Sequence, residues 1–192
     1  MKTLLLTFCL LIGLYHIASS QDYGKLDATD AVTGRTLSLA SLLNEKGLVI
    51  IFHDPSCPFA SLYEERIKAL RSKFQPRGIA FALVNPQAST SEPDQSRLRA
   101  YIDENGLNMP YLIDENQIWA KLLQASKIPE VLVLVPGNET IELVYKGALD
   151  NNAQAEDAAS EKYLDRALTQ LLRGENPLPS QVRAVGCNIR TY

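Results

Sequence analysis

Apolar and polar positions alternate along this chain in two rhythms, one of sheets and one of helices. Leu48-Val49-Ile50-Ile51-Phe52 is a continuous apolar run rich in β-branched residues. That pattern predicts a strand buried on both faces. Ile79-Ala80-Phe81-Ala82-Leu83-Val84 predicts a second such strand. Between them Leu62, Tyr63, Ile67, Leu70 and Phe74 recur at three- and four-residue steps. They predict one amphipathic helix starting near Pro58, where a first-turn proline loses no helical hydrogen bond. Gln75-Pro76-Arg77-Gly78 ends it.

Upstream, residues 21–31 are polar without a clear period, and Leu37, Leu39, Leu42 and Leu43 predict a short helix stopping at Gly47. Downstream, 85–95 is polar and predicts a loop, 96–104 a helix, Tyr111-Leu112-Ile113 a short extended piece and 118–125 a short helix. Val131–Val135 and Ile141–Tyr145 flank the turn Pro136-Gly137-Asn138 and predict an antiparallel hairpin. A last helix is predicted over 158–172, and 174–192 is a polar, proline-containing tail. Early strands joined by helices pair in parallel, and the late hairpin adds an antiparallel edge. The order predicts an α/β sandwich around a mixed, mostly four-stranded sheet.

The beginning of the chain follows another rule. Lys2 precedes an apolar stretch from Leu4 to about Leu14, and Ala18-Ser19-Ser20 follows. This predicts a secretory signal peptide over 1–20, an exported (periplasmic or extracellular) product starting near Gln21, and no stable membrane anchor after cleavage. The apolar stretch is too short to span a bilayer, which needs about 20 residues. Cleavage removes Cys9 and His16 and leaves Cys57, Cys187 and His53. In an oxidising compartment two cysteines can pair.

Composition narrows the function classes. Of 192 residues 46% are hydrophobic and 21% charged, which is globular usage. A formal charge of −3 supplies no basic excess for displacing counterions, so a nucleic-acid partner is not expected. Two histidines in the whole chain exclude a multi-histidine metal site. Arg66, Lys68, Arg71 and Lys73 predict a solvated basic helix face. Asn138-Glu139-Thr140 matches the N-glycosylation pattern, although turn chemistry accounts for it fully.

Cys57 carries the strongest chemical signal. It follows a buried strand and the breaker Asp54-Pro55-Ser56, and it directly precedes a helix. Unpaired N–H groups and the helix dipole at such a place stabilise a thiolate, the reactive form. Sites in open α/β sheets also lie beyond strand ends. On these grounds Cys57 is expected to react faster than Cys187. The adjacent His53 is a candidate for tuning the thiol, and Glu130 for a proton relay or a solvated turn carboxylate.

The stretch from Phe52 to Ala60, Phe-His-Asp-Pro-Ser-Cys-Pro-Phe-Ala, resembles the active-site region of thioredoxin-fold redoxins. That group spans thioredoxin-like reductases and the alkyl hydroperoxide reductase / thiol-specific antioxidant proteins. Ile128-Pro129-Glu130-Val131, Val144-Tyr145-Lys146-Gly147 and Val185-Gly186-Cys187-Asn188-Ile189 extend the resemblance to a peroxiredoxin-like branch, from about Asp27 to Ile189. The resemblance implies a thioredoxin-like three-layer sandwich over 21–173. It also implies a catalytic Cys57, and Pro129 in the cis-proline position beside it. Two departures matter. Ala60 stands where a Cys-x-x-Cys pair has its second cysteine, and Asp54 and Ile50 stand where typical peroxiredoxins place threonine or serine and proline. Asp54 can accept a hydrogen bond, but its charge raises the pKa of a nearby thiol. Cys187, 130 residues on, is then the second thiol, on a flexible-looking tail able to fold back.

Two classes of function follow. In one, Cys57 acts in thiol–disulfide exchange or peroxide reduction, with Cys187 as resolving cysteine, protein or small-molecule disulfides or peroxides as substrates, and an external thiol as donor. The departures favour exchange. No metal or organic cofactor is implied. In the other, the domain is a redox-inert binding or structural module stapled by a Cys57–Cys187 disulfide.

Overall fold

A computed structural model describes residues 23–191. The proposed leader at 1–20, with Cys9 and His16, lies outside the described residues. The elements in chain order are β1 (Asp27–Asp30), β2 (Thr36–Ser38), α1 (Leu39–Leu42), β3 (Gly47–Phe52), α2 (Pro58–Phe74), β4 (Ile79–Asn85) and α3 (Glu92–Glu104). There follow β5 (Tyr111–Ile113), α4 (Ile118–Leu122), β6 (Lys127–Ile128), β7 (Glu130–Pro136), β8 (Ile141–Gly147), α5 (Tyr163–Leu172) and β9 (Cys187–Asn188).

Among the described residues the central sheet has seven strands, in the order β2-β1-β5-β4-β3-β7-β8. This corrects the expectation of a mostly four-stranded sheet while keeping the three-layer α/β class. The expected core is there: β3 pairs in parallel with β4 and antiparallel with β7, and β7 forms the hairpin with β8. The three added strands are short. β5 joins β4 in parallel, and the β1–β2 hairpin closes that edge by antiparallel pairing of β1 with β5. β1 is Asp-Ala-Thr-Asp, so it shows no apolar run. It is fixed instead by Asp30, whose carboxylate accepts hydrogen bonds from Tyr111 N and, at the hairpin turn, from Thr33 N.

The continuous apolar run of β3 divides by alternation. Val49 and Ile51 pack with Tyr63, Ile67 and Phe74 of α2, with α3 and with α5. Leu48, Ile50 and Phe52 pack on the opposite face with Leu39, Trp119 and Leu132. Two apolar layers therefore sandwich the sheet, as expected for strands covered on both sides. α3 begins at Glu92, inside the stretch read as a loop, because Pro93 and the acids Glu92 and Asp94 suit a first turn.

The tail is not free. Lys146 N donates to Ser180 O at 2.9 Å, and Val182 N donates to Lys146 O at 3.0 Å. Ala184 is buried, and β9 pairs antiparallel with β6. Gly147, at φ 146°, lets this strap lie flush: a Cβ there would stand 1.9 Å from Val182 O.

Candidate functional site

β3 delivers the chain to the site. His53 N extends the ladder by donating to Val84 O at 2.9 Å, and the chain then turns through Asp54-Pro55-Ser56. Asp54 holds this turn: its carboxylate accepts from Ser56 N at 2.9 Å and from Ser56 Oγ at 2.6 Å. Cys57 N donates to Asp54 O, and Cys57 is the N-cap residue of the 17-residue helix α2, with Pro58 in the first turn. The sequence anticipated this arrangement.

The second cysteine arrives from the far end of the chain. Cys57 and Cys187 form a disulfide, with their Cα atoms 6.0 Å apart. β9 brings Cys187 there by register, Ile128 opposite Cys187 and Lys127 opposite Asn188. Ile189 N donates to Ser126 O at 3.1 Å, and Lys127 Nζ donates to Asn188 Oδ1 at 2.5 Å. The peptide bond Ile128–Pro129 is cis, and Ile128 O lies 3.2 Å from Cys57 Sγ. Cys57, Cys187 and Pro129 thus share one site. Cys57 is 2% exposed, whereas Cys187 keeps partial contact with solvent.

Several residues act differently from expectation. His53 is fully buried and bonds away from the cysteines: Nε2–H donates to Glu64 Oε1 at 3.1 Å, and Nδ1 lies 2.6 Å from the Tyr111 hydroxyl. Tyr101 OH donates to the same Glu64 oxygen at 2.5 Å. Glu130 is a clamp for the proline loop, accepting from Ser126 N at 2.7 Å and Lys127 N at 3.2 Å. Arg66 is buried rather than solvated, because it lies three residues from Tyr63 and four from Leu70, on the apolar side of α2. Its guanidinium donates to Asp150 Oδ2 at 2.5 Å and to the carbonyls of Asn152 and Ala153.

Gly186 entered the sequence reading only as part of the Val185–Ile189 stretch, with no role of its own. A Cβ there would stand 2.1 Å from Ile128 O and 3.1 Å from Pro129 N. Its lack of a side chain lets the tail backbone touch the proline loop beside the disulfide. A cleft of about 420 Å³ opens next to the Cys57 turn, lined among others by Asp54, Ser56, Gln87, Tyr101 and Arg190. Among the described residues no cluster of three or more His, Cys, Asp or Glu side chains is placed to hold a metal ion.

Burial pushes the Glu64 carboxyl up, but the hydrogen bonds from His53 and Tyr101 outweigh it and hold the pKa below the ordinary 4.5. A depressed carboxyl stabilises the fold while ionised. The contribution is therefore complete above about pH 4.5 and is lost as pH falls through the lower folded value. Glu64→Gln removes it, so urea unfolding of the variant should vary less with pH below 4.5 than that of the wild type. Equal slopes would exclude this role.

A central mixed sheet, a cysteine at the start of the helix that follows β3, and a proline loop whose Ile128 O lies beside that sulfur fit a thioredoxin-like redoxin. The chain belongs to the AhpC/TSA family, whose model matches residues 23–144. An uncharacterized conserved protein from Geobacillus kaustophilus is similar in structure at a TM-score of 0.79 and 24% identity, over 90% of this chain and 92% of that one. A hypothetical protein from Sinorhizobium meliloti follows at 0.76 and 25%, over 90% and 94%. A secreted disulfide oxidoreductase from Mycobacterium tuberculosis shares the fold at 0.52 and 17%, over 78% and 95%. No curated protein matches the chain.

Proposed function

We propose that this protein is an exported thiol–disulfide oxidoreductase whose working couple is Cys57–Cys187. The observation that carries the proposal is the joining of these two sulfurs across 130 residues, at a helix start and against the cis-proline loop. Cys57 supplies the thiolate that a helix N-terminus stabilises. Cys187 closes the bond, and Pro129 shapes the loop that brings them together. Two electrons and two protons move per cycle. A partner dithiol loses them as the Cys57–Cys187 bond opens to two thiols, or a partner disulfide gains them as the bond closes.

Exchange is favoured over peroxide reduction because Asp54, already bonded to Ser56, stands where a typical peroxiredoxin has its hydroxyl residue. The partners are protein or small-molecule disulfides, with an external thiol as donor. The test is turnover of a disulfide substrate by the reduced protein. Wild type should catalyse it, and Cys57→Ser should lose at least about a hundredfold in rate, since the stabilised thiolate is gone. Equal rates for both would remove Cys57 from the chemistry. Hydrogen peroxide should be consumed no faster than by free cysteine, and a much faster reaction would restore the peroxidase alternative.

Export rests on the sequence of the leader, with 21–173 as the domain and 174–192 as its tail. Among the described residues no helix is long and apolar enough to cross a membrane. Protein recovered outside the cytoplasm should begin near Gln21, as N-terminal sequencing will show. An intact Met1–Ser20 on the released product would exclude the leader.

A further inference from the structure

We propose that external thiols and disulfides exchange with the couple through Cys187, and that Cys57 is its buried partner, which leaves and returns. The proposal rests on the couple being redox-active, as inferred above. It reverses the order of reaction that the helix start alone suggests.

Access comes first. A thiolate must reach one of the two sulfurs, and the residues differ: Cys57 is 2% exposed, under the tail and beside Ile128 O, while Cys187 still meets solvent. Opening the bond does not by itself uncover Cys57, because contacts independent of the sulfurs hold the tail on both sides. Upstream are the two backbone bonds between Lys146 and the 180–182 segment, with Gly147 flush against Val182. Downstream, Ile189 N donates to Ser126 O, and Gln117 Nε2 and Gln87 Nε2 donate to Arg190 O at 2.6 and 3.0 Å.

Electronics point the same way. Exchange is faster when the departing sulfur is the more stable thiolate. Attack on Cys187 expels Cys57, whose thiolate is the one at the helix start. A partner thiolate therefore attacks Cys187 Sγ. The partner–Cys187 bond forms, the Cys57–Cys187 bond breaks, and Cys57 leaves with the electron pair. The second thiolate of a dithiol partner then attacks the partner sulfur in the mixed disulfide. The partner becomes a disulfide, and Cys187 departs as thiolate and takes up a proton. In reverse, the Cys187 thiolate attacks a partner disulfide, and Cys57 then resolves the mixed disulfide on Cys187. A peroxide likewise meets Cys187 before Cys57.

The test uses the oxidised full chain with glutathione as monothiol. After seconds the exchange is stopped with acid, the protein is unfolded in denaturant, free thiols are blocked with N-ethylmaleimide, and both cysteine peptides are mapped by mass spectrometry. Glutathione should sit on Cys187 and maleimide on Cys57, exceeding the opposite pattern by at least about tenfold. Glutathione on Cys57 overturns the proposal and leaves the couple standing. Neither label, in protein that was natively folded when the exchange was stopped, overturns the couple and the proposal together. A second measurement uses reduced protein and a pyridyl disulfide. Cys57→Ser should keep the fast first step, and Cys187→Ser should slow it by about tenfold or more. A wild-type rate in Cys187→Ser also overturns the proposal.

Discussion

Gly186→Val should leave the Cys57–Cys187 bond unable to close properly. A side chain at 186 meets Ile128 O at 2.1 Å, a backbone atom held by the β6–β9 pairing, so neither side can step aside cheaply. Overpacking costs about 1–3 kcal/mol, and each 1.4 kcal/mol is a factor of ten. The equilibrium for closing the bond should therefore fall by roughly ten- to a hundredfold. After mild oxidation the variant should show free thiols or intermolecular dimers on a non-reducing gel, where wild type shows neither. Val185→Ala, at a neighbouring position that is 61% exposed, should behave as wild type. Normal closure in Gly186→Val would mean that the tail does not depend on the flush contact.

Arg66→Ala should be strongly destabilising. The guanidinium is buried and bonded to Asp150 and two carbonyls of the segment before α5, and it also lies over the Tyr63 ring at 4.3 Å. Removing one partner of a buried ion pair leaves the other charge uncompensated and costs about 3–5 kcal/mol. Urea unfolding should show a loss of that size. Arg66→Met/Asp150→Asn should recover a substantial part, because it removes both charges and keeps much of the volume. A loss below about 1 kcal/mol would place Arg66 among exposed charges after all.

What the sequence disclosed and what it withheld divide along physical lines. β3, β4, the β7–β8 hairpin and α2 were legible because each buries a long periodic apolar face. β1 was not, since Asp27-Ala28-Thr29-Asp30 owes its place to Asp30 bonding Tyr111, far away in sequence. Arg66 looked like its neighbours Lys68 and Lys73, yet its spacing from Tyr63 and Leu70 put it on the buried side, a signal available to helical counting. Cys57 announced itself by local context alone. The role of Cys187 needed the resemblance to redoxins, because a strand of two residues carries no period. The role of Gly186 was invisible for a deeper reason: its partner, Ile128 O, is a backbone atom, and no side-chain pattern encodes it. His53, beside the site in sequence, is turned by strand alternation toward Glu64 and Tyr111.

The central claim is that Cys57–Cys187 is a working couple rather than a staple, and a redox titration tests it most directly. The full-length oxidised protein is equilibrated in thiol buffers of graded potential. Thiols are counted by mass spectrometry while circular dichroism follows the fold. A working couple should open to two thiols at a potential above about −300 mV, the region below which structural bridges lie, and the fold should persist. A bond that stays closed below that potential, or that opens only as the protein unfolds, would contradict the claim.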